Sequence, residues 1–258
     1  MFFSFVAVSS LLSVVSAAVL WDGRFSSSSL ATIGSWSWSN QQGPYQYYIH
    51  GSGAISKYLS TSASYKNPAA KDDVGLKLTI DSTAKWNSDM LRTELIPQTT
   101  AAINKGLVYY HFSIMHSSTN PPSANEEHQV CFFESHFTEL KFGWINGNAA
   151  STPDPALRWE VGGQSKWNTN FTADVWHNVA YEIDFSGGKV SFYHSTGADP
   201  LTLTAGPVTA SASSNGEDWH LGVLRLPRSG YTDNTPEDWY FSGVYIESGT
   251  LTTSVAGA

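Results

Sequence analysis

The sequence predicts an all-β fold, a β-jelly-roll sandwich with long loops around an open groove, on three observations. Apolar and polar residues alternate with a period of two in many short segments, the pattern of half-buried strands. Gly, Pro and Asn punctuate those segments at the spacing of roughly 8–12 residues typical of sandwiches and barrels. No segment joins a 3.6-residue apolar period to helix caps.

The segment 74–80 (VGLKLTI) sets the pattern: Val74, Leu76, Leu78 and Ile80 share one face, and Gly75, Lys77 and Thr79 the other. Strands of the same kind are expected over 90–96, 106–115, 129–134, 137–144 and 156–161, and again over 177–185, 189–194, 219–226 and 240–247. Ser186-Gly187-Gly188 reads as the hairpin turn between two of them, and Asn120-Pro121-Pro122 and Asn215-Gly216 break the chain elsewhere. The early segment 20–25 is expected to pair near 241–247, as the two ends of a jelly roll do. The small, polar residues 249–258 read as a frayed tail.

Composition narrows the function. The 258 residues carry 14 Lys+Arg against 22 Asp+Glu, a net charge of −8, which excludes the basic excess of a nucleic-acid binder. Charged and aromatic residues each make up 14 %, the reverse of a disordered chain and suited to neutral, hydroxyl-rich ligands. The apolar, uncharged stretch 1–17 reads as a secretory signal peptide with Val15 and Ala17 before the cut. Residues 18–258 then form one secreted domain, since no linker divides them. No other apolar run reaches the ~20 residues of a membrane span. Cys131 is the one cysteine, so no intrachain disulfide is possible, and it reads as a small core residue. Asn170-Phe171-Thr172 is an N-glycosylation acceptor.

Because charge is scarce, its placement is informative. Arg92 and Glu94 share a face of the strand 90–96 (MLRTELI). They make either a plain ion pair or a carboxyl group held beside a guanidinium in a sugar-binding groove. In 127–141 (EHQVCFFESHFTELK), Glu134 closes an apolar strand. Phe132 and Phe133 are expected to desolvate it and keep it protonated, as a general acid requires. Glu139, on one face with Lys141, is the rival carboxyl group. Glycoside hydrolysis needs two carboxyl groups across the scissile bond, and Glu94 and Glu134 are the candidate pair. His220 reads as a sugar ligand, a proton carrier or a core hydrogen-bonding group. Trp36, Trp38 and Tyr48 are taken as sugar-stacking platforms and most other aromatics as core. No ligand spacing points to a metal, and neither a phosphate loop nor a G-x-S-x-G elbow occurs, so no cofactor is expected.

Several long blocks resemble fungal glycoside hydrolase family 131. They are 20–25 (LWDGRF), 36–53 (WSWSNQQGPYQYYIHGSG), 92–106 (RTELIPQTTAAINKG) and 128–144 (HQVCFFESHFTELKFGW), then 175–185 (VWHNVAYEIDF), 213–228 (SSNGEDWHLGVLRLPR) and 238–247 (DWYFSGVYIE). The resemblance implies a secreted fungal jelly-roll enzyme acting on β-1,3-, β-1,6- and β-1,4-glucosidic bonds of β-glucans with inversion. It carries the acidic pair onto Glu94 and Glu134 and a groove residue onto Arg92. Gln98, His128, His136, Lys141 and His220, in the same blocks, are read with them as substrate-binding. The expected partner is a β-glucan polysaccharide or oligosaccharide, met by a monomer, with neither nucleic acid nor membrane.

Two other classes stay open. A polysaccharide lyase on the same scaffold would cast Arg92, His136, His220 and Tyr245 around a uronate, which the negative net charge disfavours. A glucan-binding lectin would keep the aromatic platform without needing the paired carboxyl groups.

Overall fold

The computed structural model describes residues 16–149 and 153–258. All but the last two residues of the expected leader 1–17 lie outside the described residues. Strands follow one another as β1 (Ala18–Asp22), β2 (Tyr45–Ile49), β3 (Leu59–Ser62), β4 (Gly75–Ile80) and β5 (Leu91–Pro97). Then come β6 (Leu107–Met115), β7 (His128–Phe133), β8 (Glu139–Phe142), β9 (Ala156–Val161) and β10 (Gln164–Asn170). The last five are β11 (His177–Asp184), β12 (Lys189–Thr196), β13 (Thr202–Thr209), β14 (Trp219–Arg225) and β15 (Glu237–Ser248). Two short helices, Ser29–Ser35 and Ile55–Tyr58, sit in loops where no helix was expected.

The strands build two antiparallel sheets. One runs β13-β12-β11-β6-β15-β4-β3, with β1 also paired to β15, and the other runs β10-β9-β8-β7-β14-β5-β2. Pairing of Trp21 with Ile246 and Asp22 with Tyr245 joins the early and late segments as expected. Asp184 Oδ1 accepts from the Ser186 and Gly187 N–H groups, and Gly188 takes φ 61°, which shapes the expected hairpin turn. The tail is not frayed: Thr252 donates to the Glu247 carboxylate through its N–H and Oγ1, and the Leu201 N–H donates to the Thr253 carbonyl.

Aromatic rings weld the sheets together. Tyr110 on β6 meets Trp219 on β14 edge-on at 5.0 Å, and Trp159 on β9 stacks on Phe192 of β12 at 5.2 Å. The Tyr110 hydroxyl donates to the Ile103 carbonyl at 2.7 Å, so the buried polar end of the ring is satisfied. Cys131 is a buried free thiol in this core, and burial pushes its pKa up, as fits an inert core residue.

Candidate active site

The site lies on the outer face of the second sheet, where β5, β14 and β7 run side by side. In β5, Leu91, Thr93 and Leu95 turn toward the core, and Arg92 and Glu94 turn outward. Gly222 of β14 sits opposite Glu94 and Leu224 opposite Arg92, which puts His220 on the same outer face.

A bulge between β14 and β7 decides which residues of β7 join them. Register is lost between His220 and Val223, where Cys131 takes φ 48° and Gly222 takes φ 152°. Leu221 and Gly222 of β14 stand opposite Cys131 alone, and the left-handed backbone at Cys131 reverses the alternation of β7. Upstream of it, His128 and Val130 face the core and Gln129 faces outward. Downstream, Phe132 faces outward beside His220 and Phe133 returns to the core. The chain then turns tightly, the His136 N–H donating to the Phe133 carbonyl with His136 at φ 51°. The Glu134 N–H donates to the Asp218 carbonyl at 3.0 Å, which fixes where its side chain starts.

This frame joins Glu94 and Glu134 through one imidazole. His220 Nδ1 lies 2.6 Å from Glu94 Oε2, and His220 Nε2 lies 3.1 Å from Glu134 Oε2. Arg92 grips Glu94 from the other side, Nε to Oε1 at 2.6 Å and Nη2 to Oε2 at 2.9 Å. The Glu94 side chain is 0 % exposed, whereas that of Glu134 is 64 % exposed. Phe132 is sandwiched between two imidazoles, with His220 stacked at 4.7 Å and His136 at 5.3 Å. A groove of about 190 Å³ opens before Glu134, bounded by Met90, Arg92, Gln129, Phe132, His136 and Leu224.

Burial by itself would pull the His220 pKa down, but its hydrogen bonds to Glu134 and Glu94 outweigh that and raise it above 6.5. The same hydrogen bond from His220 holds Glu134 below 4.5 against a smaller desolvation effect, with Arg92 and His136 adding to it. The expected protonation of Glu134 by its phenylalanine neighbours is therefore corrected. Phe133 points into the core, and the carboxylate faces water and a charged imidazole.

Other expected residues fall at different distances from this centre. Tyr48 sets its ring edge-on to His220 at 5.5 Å. Trp36 donates from Nε1 to Gln98 Oε1 at 3.4 Å, Gln98 donates to Gln46, and Trp38, 71 % exposed, meets Trp36 edge-on. Lys141 lies two strands over from His220 on the same face, tied to Glu127 at 2.8 Å and flanked by Glu160 and Glu139. Glu139 is buried, with Oε2 3.1 Å from His136 Nδ1. His128 does not join the groove. It lies in the core, Nε2 2.8 Å from Glu237 and its ring beside Trp239, because the bulge follows it in the strand. Tyr245, cast in the lyase reading, lies in the first sheet, stacked on His111 at 4.2 Å and away from Arg92 and His220. Asn170 ends β10 with its side chain exposed. Gln129 went unnoticed as a groove residue, because a neutral amide carries no charge or spacing signal.

Residues 19–252 match the glycoside hydrolase 131 catalytic N-terminal domain. The structure resembles the crystal structure of a GH131 β-glucanase catalytic domain from Podospora anserina, with 61 % identity and a TM-score of 0.90 over 93 % of this chain and 100 % of that one. It also resembles the catalytic domain of the glycoside hydrolase family 131 protein from Coprinopsis cinerea, with 50 % identity and a TM-score of 0.86 over 92 % of this chain and 98 % of that one. Among curated proteins none matches. With a family match over most of its length and relatives this similar over nearly all of theirs, the chain belongs to glycoside hydrolase family 131.

Proposed function

We propose that the protein is a secreted, monomeric β-glucanase that cleaves β-1,3-, β-1,6- and β-1,4-glucosidic bonds with inversion, using Glu94 and Glu134 as its carboxyl pair. The observation that carries this reading is the imidazole of His220, bonded at one nitrogen to each carboxylate. An imidazole inserted between the two carboxylates separates them, which favours the roughly 6.5–9.5 Å spacing of inverting pairs over the ~5–5.5 Å of retaining ones. The β-glucanase activity of the Podospora anserina relative supports the substrate class. The neutral aromatic surface around Tyr48, Trp36 and Trp38 suits a glucan over a uronate polymer.

The roles follow from environment. Glu134 is exposed and held ionised by His220, so it is the base that takes a proton from the attacking water. Glu94 is the acid. It is enclosed in the free protein, so substrate reaches it by displacing the Arg92 side chain that covers it. Each inverting cycle leaves the base with an extra proton and the acid without one. His220 touches both and returns that proton across its ring, so the pair is reset without exchange with solvent.

Glu94→Gln and Glu134→Gln are each expected to lower kcat/KM on β-1,3- and β-1,4-gluco-oligosaccharides by about 10³-fold or more, with binding retained. Proton NMR of the first product should show the α-anomer. Wild-type rates in both variants would remove the pair. A β-anomer would replace inversion with retention, and an unsaturated uronate product would put a lyase in place of the hydrolase.

A further inference from the structure

A second cavity, about 230 Å³, opens at the end of the sandwich where β5 begins and β14 ends. Its wall is made by Glu126, Arg225, Arg228, Tyr231 and Asp233, together with the loop that holds Lys85 and Asp89. Glu126 and Arg225 are 4 % and 3 % exposed. Arg225 is fully engaged: Nε lies 3.3 Å from Glu126 Oε2, Nη1 donates to Glu237 at 2.7 Å, and Nη2 donates to the Asp233 carbonyl at 2.5 Å. Glu126 Oε2 nonetheless accepts no hydrogen bond although it is shielded from solvent. The guanidinium of Arg228 lies 4.0 Å from the Trp144 ring centre and 5.3 Å from that of Tyr231, which pins the Tyr231 ring at the rim.

The lining selects a ligand class. Its cations Lys85, Arg225 and Arg228 are matched by Asp89, Glu126 and Asp233, and Lys85 is already paired with Asp89 at 2.9 Å. A charged ligand therefore gains nothing from the lining as a whole. Among the described residues, no group of three or more His, Cys, Asp or Glu side chains could hold a metal ion. Glu126 Oε2, ion-paired with Arg225 Nε at 3.3 Å, keeps a lone pair for a hydroxyl donor, and the Tyr231 ring offers an apolar face. The volume equals nearly eight waters at ~30 Å³ each, enough for a single pyranose.

Leu226 lines both this cavity and the groove before Glu134. It lies six residues beyond His220, about 20 Å of extended chain, so the cavity is several sugar units from the reacting bond. Trp86, 63 % exposed, stands on the same loop as Lys85. We propose that this cavity is a remote glycosyl-binding site that holds a neutral pyranose unit of a glucan chain extending beyond the groove, a proposal that rests on the β-glucanase reading above.

The test compares a trisaccharide with a hexasaccharide in both the β-1,3 and β-1,4 series, using Tyr231→Ala and Glu126→Gln. KM for the hexasaccharide should rise about five- to tenfold in each variant, with kcat and all trisaccharide constants unchanged. Equal effects on both lengths, or none, would overturn the site. Tyr231 lies on a surface loop, so its variant reads the site even if Glu126→Gln fails to fold. A calorimetric titration of hexasaccharide into Glu134→Gln, with and without Tyr231→Ala, needs no turnover. Weaker binding in the double variant upholds the cavity even if the chain cuts no β-glucan, and equal binding rejects it.

Discussion

Glu134 and His220 share a hydrogen bond that lowers one pKa and raises the other, so their charged pair occupies the interval between the two. His220 stabilises the fold fully below 6.5 and loses that contribution as pH rises through its raised value. Glu134 stabilises it above 4.5 and loses its contribution as pH falls through its lowered value. The kcat/KM profile should therefore be bell-shaped, with an acid limb below 4.5 and an alkaline limb above 6.5. His220→Asn should abolish the alkaline limb and lower kcat by about 10²-fold. An unchanged profile in that variant would separate His220 from proton transfer. Sequence patterning was enough to single out Arg92, Glu94 and Glu134, because charge is rare in this chain, whereas His220 kept three readings. Their connection through one ring was not legible, since Glu94 and His220 are 126 residues apart and meet only by sheet register.

At the level of elements, what could be read in advance follows from where each strand sits. Every strand expected from alternation is present, and these occupy the sheet interiors, where one face is buried and the pattern is enforced. The strands missed within the two sheet paths are β2, β3, β10 and β13, which form their four edges. β10 (QSKWNTN) and β13 (TLTAGPVT) are mostly exposed on both faces, so no alternation is imposed on them, and Pro207 is tolerated at an edge. The bulge was equally invisible, because Cys131 has an ordinary side chain and a rare backbone conformation. Gly222 is different: a Cβ there would meet the Thr93 carbonyl oxygen at 2.3 Å, on top of its φ of 152°. Gly222→Ala should cost about 1–3 kcal/mol and lower Tm by roughly 2–10 °C, measured by calorimetry. An unaltered Tm would mean that the bulge relaxes without strain.

For the whole molecule, the interior holds titratable groups that make stability depend on pH. His177 Nδ1 faces His194 Nε2 at 3.0 Å, and burial pushes both pKa values down to about 4. Between 6.5 and about 4 the unfolded chain binds protons that the folded one refuses, so stability falls with pH through that window and not further below it. Glu237 acts lower down. Burial would raise its pKa, but His128 and Arg225 outweigh burial and bring it to about 2, so its stabilisation is lost between 4.5 and about 2. Denaturant unfolding across this range should show a steady decline in ΔG from neutral pH downward, and His194→Gln should flatten its upper part. A flat wild-type curve from 6.5 to 4 would contradict the buried histidine pair.

The bulge at Cys131 also works as a phase shift. The strand keeps one parity before it and the opposite parity after it, so a single residue sets which half of β7 addresses the interior and which the solvent. Were Cys131 in ordinary extended geometry, the count of two would run uninterrupted, with His128 and Phe132, four residues apart, forced to the same side of the sheet. One of them would then be in the wrong solvent: a histidine torn from Glu237, or a phenylalanine withdrawn from between two imidazoles. The chain thus encodes its core and its outer surface in two frames of one strand, and the half that carries the proposed site is legible only in the second.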